Sequence, residues 1–388
     1  MNNSTDISRK YPVQVKNTSA NKKNTFKSWI MRCLALTLSL FIGLLIGEGV
    51  IRMLYKDKMV LYPRYHTNAE YGDFKIRKIR PNMSFIHTSV DGTYNFKTNN
   101  KGFRNYKDIN YDKTPGELRV LSLGDSHTQG YEVKQEETFS YVAEATLNKG
   151  GYKSTVINAG VSGFSTEEEL VLLENEGYKY KPDYVVVGVY SNDFEDNIRC
   201  KIFEMEGDSL VTRNHDYLPG VSIQNKLYKF WLFRFLGEHS YLYGFVFNTI
   251  WEGYQKRSMN AAKGKQTEYA VAMSQNTSMS EELMKKLLNR MYSFSKSHGI
   301  KLIIVDIPQF SDKRLIFSSI PNGMLADIKN SCDTLFNYDS MVQDYNKLSS
   351  FHVKHGHRHI TAEVHNLIGH KIAEYILSDH SHTEAVNK

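Results

Sequence analysis

The longest apolar run in the chain is Cys33-Leu-Ala-Leu-Thr-Leu-Ser-Leu-Phe-Ile-Gly-Leu-Leu-Ile-Gly47, without a charge, continued by Val50, Ile51, Met53, Leu54 and Tyr55 around Glu48 and Arg52. A bilayer-spanning helix needs about 20 such residues, so the pattern predicts a transmembrane helix over 29–55, with Trp29 and Tyr55 as interfacial aromatics. Glu48 and Arg52 stand i,i+4 and pair on the helix surface. A buried core helix and a cleaved signal peptide compete with this reading. No small-x-small cleavage site follows the run, which favours an uncleaved signal anchor.

Beyond residue 117 the pattern changes to alternating short apolar runs and amphipathic stretches. Leu118-Arg-Val-Leu-Ser-Leu123 predicts a buried strand ending at Gly124. A helix face follows (Phe139, Val142, Ala143, Ala145, Leu147) and is closed by Gly150-Gly151; Thr155-Val-Ile-Asn158 is the next strand. Thr166-Glu-Glu-Glu169 reads as a capping box opening a helix through Leu173, and Tyr184-Val-Val-Val-Gly-Val-Tyr190 as a central strand. Ser280 reads as the cap of a helix that Gly299 stops; Ile300–Val305 is a strand, and a last helix runs over about 361–377. This order implies an α/β fold: a three-layer α/β/α sandwich around a parallel sheet.

Three segments fall outside the alternation. Residues 1–28 are rich in Asn, Lys, Ser and Thr and read as a disordered basic tail. Residues 56–117 show short alternating runs around Asp91-Gly92 and predict a small β-rich lead-in. Residues 118–380 form the main domain, with an insertion at about 194–279 that carries the aromatic stretches Leu227–Leu236 and Tyr241–Trp251. A helical pair covering one end of the sheet is the favoured reading of the insertion; a lid over the site is the alternative.

Charge sharpens this picture. Seven of the 49 basic residues and one of the 42 acidic ones lie in residues 1–32, which leaves 42 against 41 for the rest. The body is neutral, so a basic nucleic-acid face has no support. By the positive-inside rule the tail stays in the cytoplasm and the remainder crosses the membrane. The three cysteines decide little: Cys33 lies in the span, and only Cys200 and Cys332 are left to pair.

In open parallel sheets, ligands bind beyond the carboxyl ends of the strands. Four blocks stand there: Gly124-Asp125-Ser126-His127-Thr128-Gln129-Gly130, Asn158-Ala-Gly160-Val-Ser-Gly163, Gly188-Val-Tyr-Ser-Asn192-Asp193 and His359-Ile-Thr-Ala-Glu-Val-His365. A serine at a strand-to-helix turn has its N–H near a helix N-terminus, where negative charge is favoured. Gly163 N–H and the Asn192 amide suit an oxyanion, and His359 suits a general base.

In this order the blocks resemble the SGNH (GDSL-like) hydrolase superfamily over roughly residues 118–377. Asn99-Asn-Lys-Gly-Phe-Arg104 is similar to the lead-in of its bacterial membrane-anchored members. The resemblance implies Ser126 as nucleophile, His359 as base, and an oxyanion hole from the N–H of Ser126 with Gly163 and Asn192. Gly160, Asp125 and Asp193 are supporting positions, the two aspartates holding their loops through backbone N–H groups. His127, next to the nucleophile, is expected to point away from the reacting centre.

One position departs from the family pattern. The usual Asp two or three residues before the histidine is replaced by His357 and Gly356, and no local carboxylate is left to orient the imidazole. Asp306 is then the candidate orienting acid, with a backbone carbonyl as the alternative. His355, His357 and His359 read as solvated histidines rather than a metal site, and no cofactor is implied. The implied activity is that of a serine esterase acting on an acyl ester, such as an O-acetyl group, of an envelope or secreted glycan. An O-acyltransferase of the same fold and a catalytically silent glycan-binding or assembly protein are the alternatives. The implied place is the bacterial inner membrane, single-pass, with the catalytic domain periplasmic or extracellular. A reporter fused after residue 60 checks this topology; it is expected to be active only outside the cytoplasm, and activity confined to the cytoplasm overturns the export reading.

Overall fold

The structure is a computed structural model, and it describes residues 18–264, 277–310, 316–354 and 359–386. Residues 1–17 of the expected tail, 265–276 of the expected linker, and His355–Arg358, with the two positions where an orienting Asp was sought, lie outside the described residues. The chain divides into two units, residues 1–54 and 55–388.

In the first unit, helix α1 spans Thr18–Tyr55, and over Thr25–Tyr55 it is long and apolar enough to cross a membrane. Arg52 Nη2 lies 3.2 Å from Glu48 Oε1 one turn earlier.

The second unit begins with two antiparallel hairpins. Strand β1 (His66–Tyr71) pairs with β2 (Phe74–Ile79), and β3 (Ser84–Ser89) with β4 (Gly92–Lys97). The main sheet follows: β5 (Glu117–Leu123), the four-residue helix α2 (Ser126–Gln129), α3 (Phe139–Lys149), β6 (Lys153–Asn158), α4 (Thr166–Asn175), β7 (Tyr184–Val189) and α5 (Asp193–Cys200). The insertion contains the hairpin β8 (Phe203–Glu206) and β9 (Ser209–Thr212), the short strand β10 (Asp216–Tyr217), and helices α6 (Val221–Tyr228), α7 (Trp231–His239) and α8 (Tyr241–Gly264). The chain then runs through α9 (Thr277–Ser297), β11 (Lys301–Asp306), the pair β12 (Gln309–Phe310) and β13 (Ile316–Phe317), α10 (Leu325–Asn330), β14 (Thr334–Phe336), α11 (Tyr338–Tyr345) and α12 (Ala362–Val386).

The main sheet is parallel throughout, in the order β14-β11-β7-β5-β6. Its strands are buried on both faces, and side chains alternate between two cores because successive residues of a strand point to opposite sides. Val185, Val187 and Val189 pack with α4 and α9, while Tyr184 and Val186 pack with α3 and α12. On the second face Gly369 of α12 lets two helices approach closely, since a Cβ there would come within 2.7 Å of Phe139 O. The expected three-layer α/β/α sandwich is the fold observed. Numbered along the sheet, the strand order is that of a flavodoxin-like doubly wound fold. Its switch point, where ligands bind, falls between the first strand, β5, and the third, β7.

Several local expectations shift. The capping box belongs to Ser165 and Glu168 rather than to Thr166 and Glu169, one residue earlier, because Ser165 is the last residue with extended backbone. Helix α9 begins at Thr277, so Ser280 lies inside it. The insertion is not a helical pair on the sheet. Its strand β10 extends the β1-β2 sheet, and Gly237 of α7 packs on the backbone of Tyr62 and Pro63, so it builds on the lead-in. All three cysteines are free thiols. Leu302, near the start of β11 and fully buried, tests the core: Leu302→Ala is expected to destabilise the protein by about 2–5 kcal/mol, read from the shift in its denaturant midpoint.

Candidate active site

The β5 strand delivers the chain to Gly124, and Asp125 then caps α2, its Oδ1 accepting the N–H of His127 at 2.8 Å. This places Ser126 at the first position of the helix, with Asp125 Oδ2 3.5 Å from its Oγ. The loop after β6 is tied to the same turn: Val161 N–H donates to Gly124 O at 3.0 Å, and Ser162 N–H to Gln129 Oε1 at 2.6 Å. Gly160 is required there, because a Cβ would lie 2.2 Å from Gln129 N. Gly163 has a φ of +79° and its carbonyl accepts from the guanidinium of Arg77. The same guanidinium pairs with the buried Glu168 at 2.9 Å.

After β7, Asp193 closes its own turn by accepting Tyr190 N–H at 2.9 Å. Asn192 donates one amide hydrogen to Asp196 Oδ2 at 2.7 Å. Burial raises the Asp125 carboxyl to about 6, against the pull of His127 N–H, Asn192 and Ser126. Asp193 and Glu169 are both held well above the ordinary carboxylate range, by burial first and by Asp125 second. Glu169 and Asp193 on the floor of the site therefore favour the neutral form, whereas Asp125 ionises above about pH 6.

His359 arrives from the far end of the sequence. Segments 351–353 and 359–361 pair as short extended strands, with Val353 N–H donating to His359 O at 2.8 Å and Thr361 N–H to Phe351 O at 3.1 Å. His359 Nε2 lies 2.8 Å from Ser126 Oγ. Both residues are nearly buried, at 8% exposure for Ser126 and 9% for His359. The imidazole lies between Tyr131 and His127, with ring centroids 4.7 and 5.0 Å away. His127 thus faces the centre rather than away from it, and burial draws its pKa down to about 3, so it is a neutral wall. His365, in the same block, serves elsewhere: its Nδ1 accepts Phe139 N–H at 3.2 Å, at the start of α3.

Asp306 does not orient the imidazole. It is buried at the end of β11 and accepts from Ser318 Oγ at 2.6 Å, Ser319 N–H at 2.8 Å and Tyr338 N–H at 3.1 Å, which closes the loop before α11. A different carboxylate stands near His359, one that sequence reasoning missed. Glu132 Oε2 lies 3.8 Å from His359 Nδ1. No spacing rule marks Glu132; its only signal is a non-glycine residue just after the Gly130 turn.

Arg77 and Arg104 of the lead-in also escaped notice as parts of the site. Arg104 ends the Asn99–Arg104 run and is fully buried; its guanidinium donates to Gln129 O at 2.8 Å, to Gly130 O and to Val133 O at 2.7 Å. A buried charge needs such partners, and here the partners are the carbonyls of the loop after Ser126.

No family model and no curated protein matches the sequence. Among solved structures the chain is similar to a psychrotrophic esterase from Pseudoalteromonas sp., at 13% identity and TM-score 0.36, covering 70% of this chain and 99% of that one. It is also similar to a lipase/acylhydrolase from Enterococcus faecalis, at 15% identity and TM-score 0.36, over 68% and 96% of the two chains. An acetyl xylan esterase matches at 13% identity and TM-score 0.36, over 67% and 100%. Likeness at this level assigns neither a substrate nor a residue role. The chain's own parallel sheet shows a flavodoxin-like doubly wound fold, with the Ser126, Gly163 and Asn192 blocks following its first three strands.

Gly160→Ala is expected to push the loop after β6 off the backbone of α2, destabilising the protein by about 1–3 kcal/mol. A thermal melt checks this, and a wild-type melting temperature refutes the close approach.

Proposed function

We propose that the protein is a serine enzyme of acyl-ester chemistry, with Ser126 as nucleophile and His359 as general base. The observation that carries this is the 2.8 Å contact between Ser126 Oγ and His359 Nε2 in a nearly buried site at the switch point of the sheet. Ser126 gives its proton to Nε2 as Oγ attacks the ester carbonyl, and His359 returns that proton to the leaving alcohol. The resulting acyl-enzyme is resolved by the reverse sequence with water or a second hydroxyl.

Charge on the carbonyl oxygen develops beside the first turn of α2. The Ser126 N–H, the N–H of Gly163 and the second amide hydrogen of Asn192 are the donors we assign to it. The carboxyl groups beneath the site suit this role when neutral, because an anion there would oppose the oxyanion.

The imidazole of His359 lies against Tyr131 and His127 beside the nearly buried Ser126, and a small acyl group is the one we propose for this site. An O-acetyl ester of an envelope or secreted glycan is the substrate class we propose, with α1 holding the enzyme at the membrane. The low exposure of Ser126 equally suits transfer to a glycan hydroxyl, since it limits the access of water to the acyl-enzyme. Labelling of the full chain with a fluorophosphonate probe tests the chemistry. Wild type is expected to label, Ser126→Ala not at all, and His359→Ala at least about 100-fold more slowly. A folded wild type that does not label sinks the proposal. Free acetate against glycan-bound acetate, measured from an acetyl donor, then separates hydrolase from transferase.

A further inference from the structure

We infer that Glu132 is the positioning residue for His359, taking the role of the missing aspartate from a different place in the fold. The inference rests on the Ser126–His359 reading above and adds a third member to it. Four independent observations point the same way.

The first is geometry. Glu132 Oε2 is the carboxylate oxygen that faces His359 Nδ1, at 3.8 Å, while Nε2 of the same ring faces Ser126 Oγ. When Nε2 accepts the serine hydrogen, the neutral ring carries its own proton on Nδ1, the nitrogen turned to Glu132. The second is an idle acid. Both carboxylate oxygens of Glu132 are buried, and among the described residues neither has a hydrogen-bond partner. A carboxylate held that way is costly unless a cation forms beside it, and the imidazolium of the reaction is such a cation.

The third is backbone. Glu132 has a φ of +67°, the left-handed region that glycine occupies freely and a glutamate does not. Strain of this kind persists where the surroundings over-determine it, and it clusters at functional sites. The fourth is the clamp that over-determines it. Arg104 holds the carbonyls of Gln129, Gly130 and Val133, Val133 N–H closes the turn onto Gly130 O at 3.3 Å, and Glu132 N–H donates to the Tyr94 hydroxyl at 2.9 Å. The Asn99–Arg104 run and the β3-β4 hairpin thus converge on a single residue, which none of the four blocks contains.

The charged and titratable groups around Glu132 come from every neighbouring element. The β3-β4 hairpin supplies His87, Asp91 and Tyr94, the nucleophile loop supplies Tyr131, and Arg104 lies behind Tyr94. Burial, and then Asp91, raises the Glu132 carboxyl to about 7. His87 is neutral, its pKa drawn down to about 3 by burial and by Arg104. Glu132 is therefore protonated below about pH 7 and anionic above it, so its help to the imidazolium grows as pH rises through that value.

The test measures the rate of fluorophosphonate labelling of the full chain against pH, in wild type, Glu132→Gln and Glu132→Gly, beside their melting temperatures. Both variants are expected to melt no lower than wild type, the glycine because it suits the left-handed backbone and both because the buried acid is gone. Both are expected to label at least about 100-fold more slowly. The midpoint of the labelling profile should fall to lower pH, since an imidazole without a carboxylate beside it loses its proton more readily. Labelling within about threefold of wild type with an unshifted midpoint overturns the role of Glu132 and leaves Ser126 and His359 standing. Slow labelling that accompanies a lowered melting temperature in both variants assigns Glu132 to folding alone and overturns it too. A folded wild type that never labels sinks the serine-enzyme reading together with this one.

Discussion

The contact between His359 Nε2 and Ser126 Oγ joins residues 233 positions apart, and the rest of the molecule can be understood as what keeps it. Ser126 is fixed by the carboxyl end of a fully buried strand, and His359 by the short pairing that precedes α12. Helix α12 in turn packs on α3, which follows the Ser126 loop, and Gly369 sets how closely the two approach. A hydrogen bond tolerates a few tenths of an ångström, so this packing has to be as definite as a protein core allows.

The lead-in belongs to the same machinery. Its strands carry Arg77, which bridges the Gly163 carbonyl and the buried Glu168 of the α4 capping box, and its last residues carry Arg104. Tyr65 adds a hydroxyl that accepts from Gln129 Nε2 at 3.2 Å. None of these groups touches Ser126 or His359 directly. Each fixes a loop that does, which is why residues far outside the four blocks hold the site together.

Burial governs the electrostatics. Asp125, Glu169 and Asp193 lie in one region, and desolvation raises all three. Glu132, raised by the same cause, sits on the other side of the imidazole and titrates near neutrality. Glu169 and Asp193, held towards the neutral form beneath Ser126, and Glu132, which becomes anionic above about pH 7 behind His359, form the arrangement the proposed acyl transfer needs, negative charge being welcome next to an imidazolium and unwelcome next to an oxyanion.

Much of this was legible along the chain. The apolar run of α1, the alternation of strands and helices, the serine, glycine and asparagine after successive strands, and the histidine before the last helix all follow from local pattern, because period, turn chemistry and strand termini are local properties. What folding alone decided is which distant groups meet. Asp306 stands at the end of a strand, as a supporting acid should, yet the loop before α11 claims it. Glu132 carries no sequence signature and depends on a left-handed turn, a clamp from Arg104 and a hairpin from residues 84–97 to face the imidazole. Side-chain direction across three separate elements is a tertiary quantity. A one-dimensional pattern therefore singled out Ser126 and His359 as candidates, while only the packed structure brought Glu132 beside them.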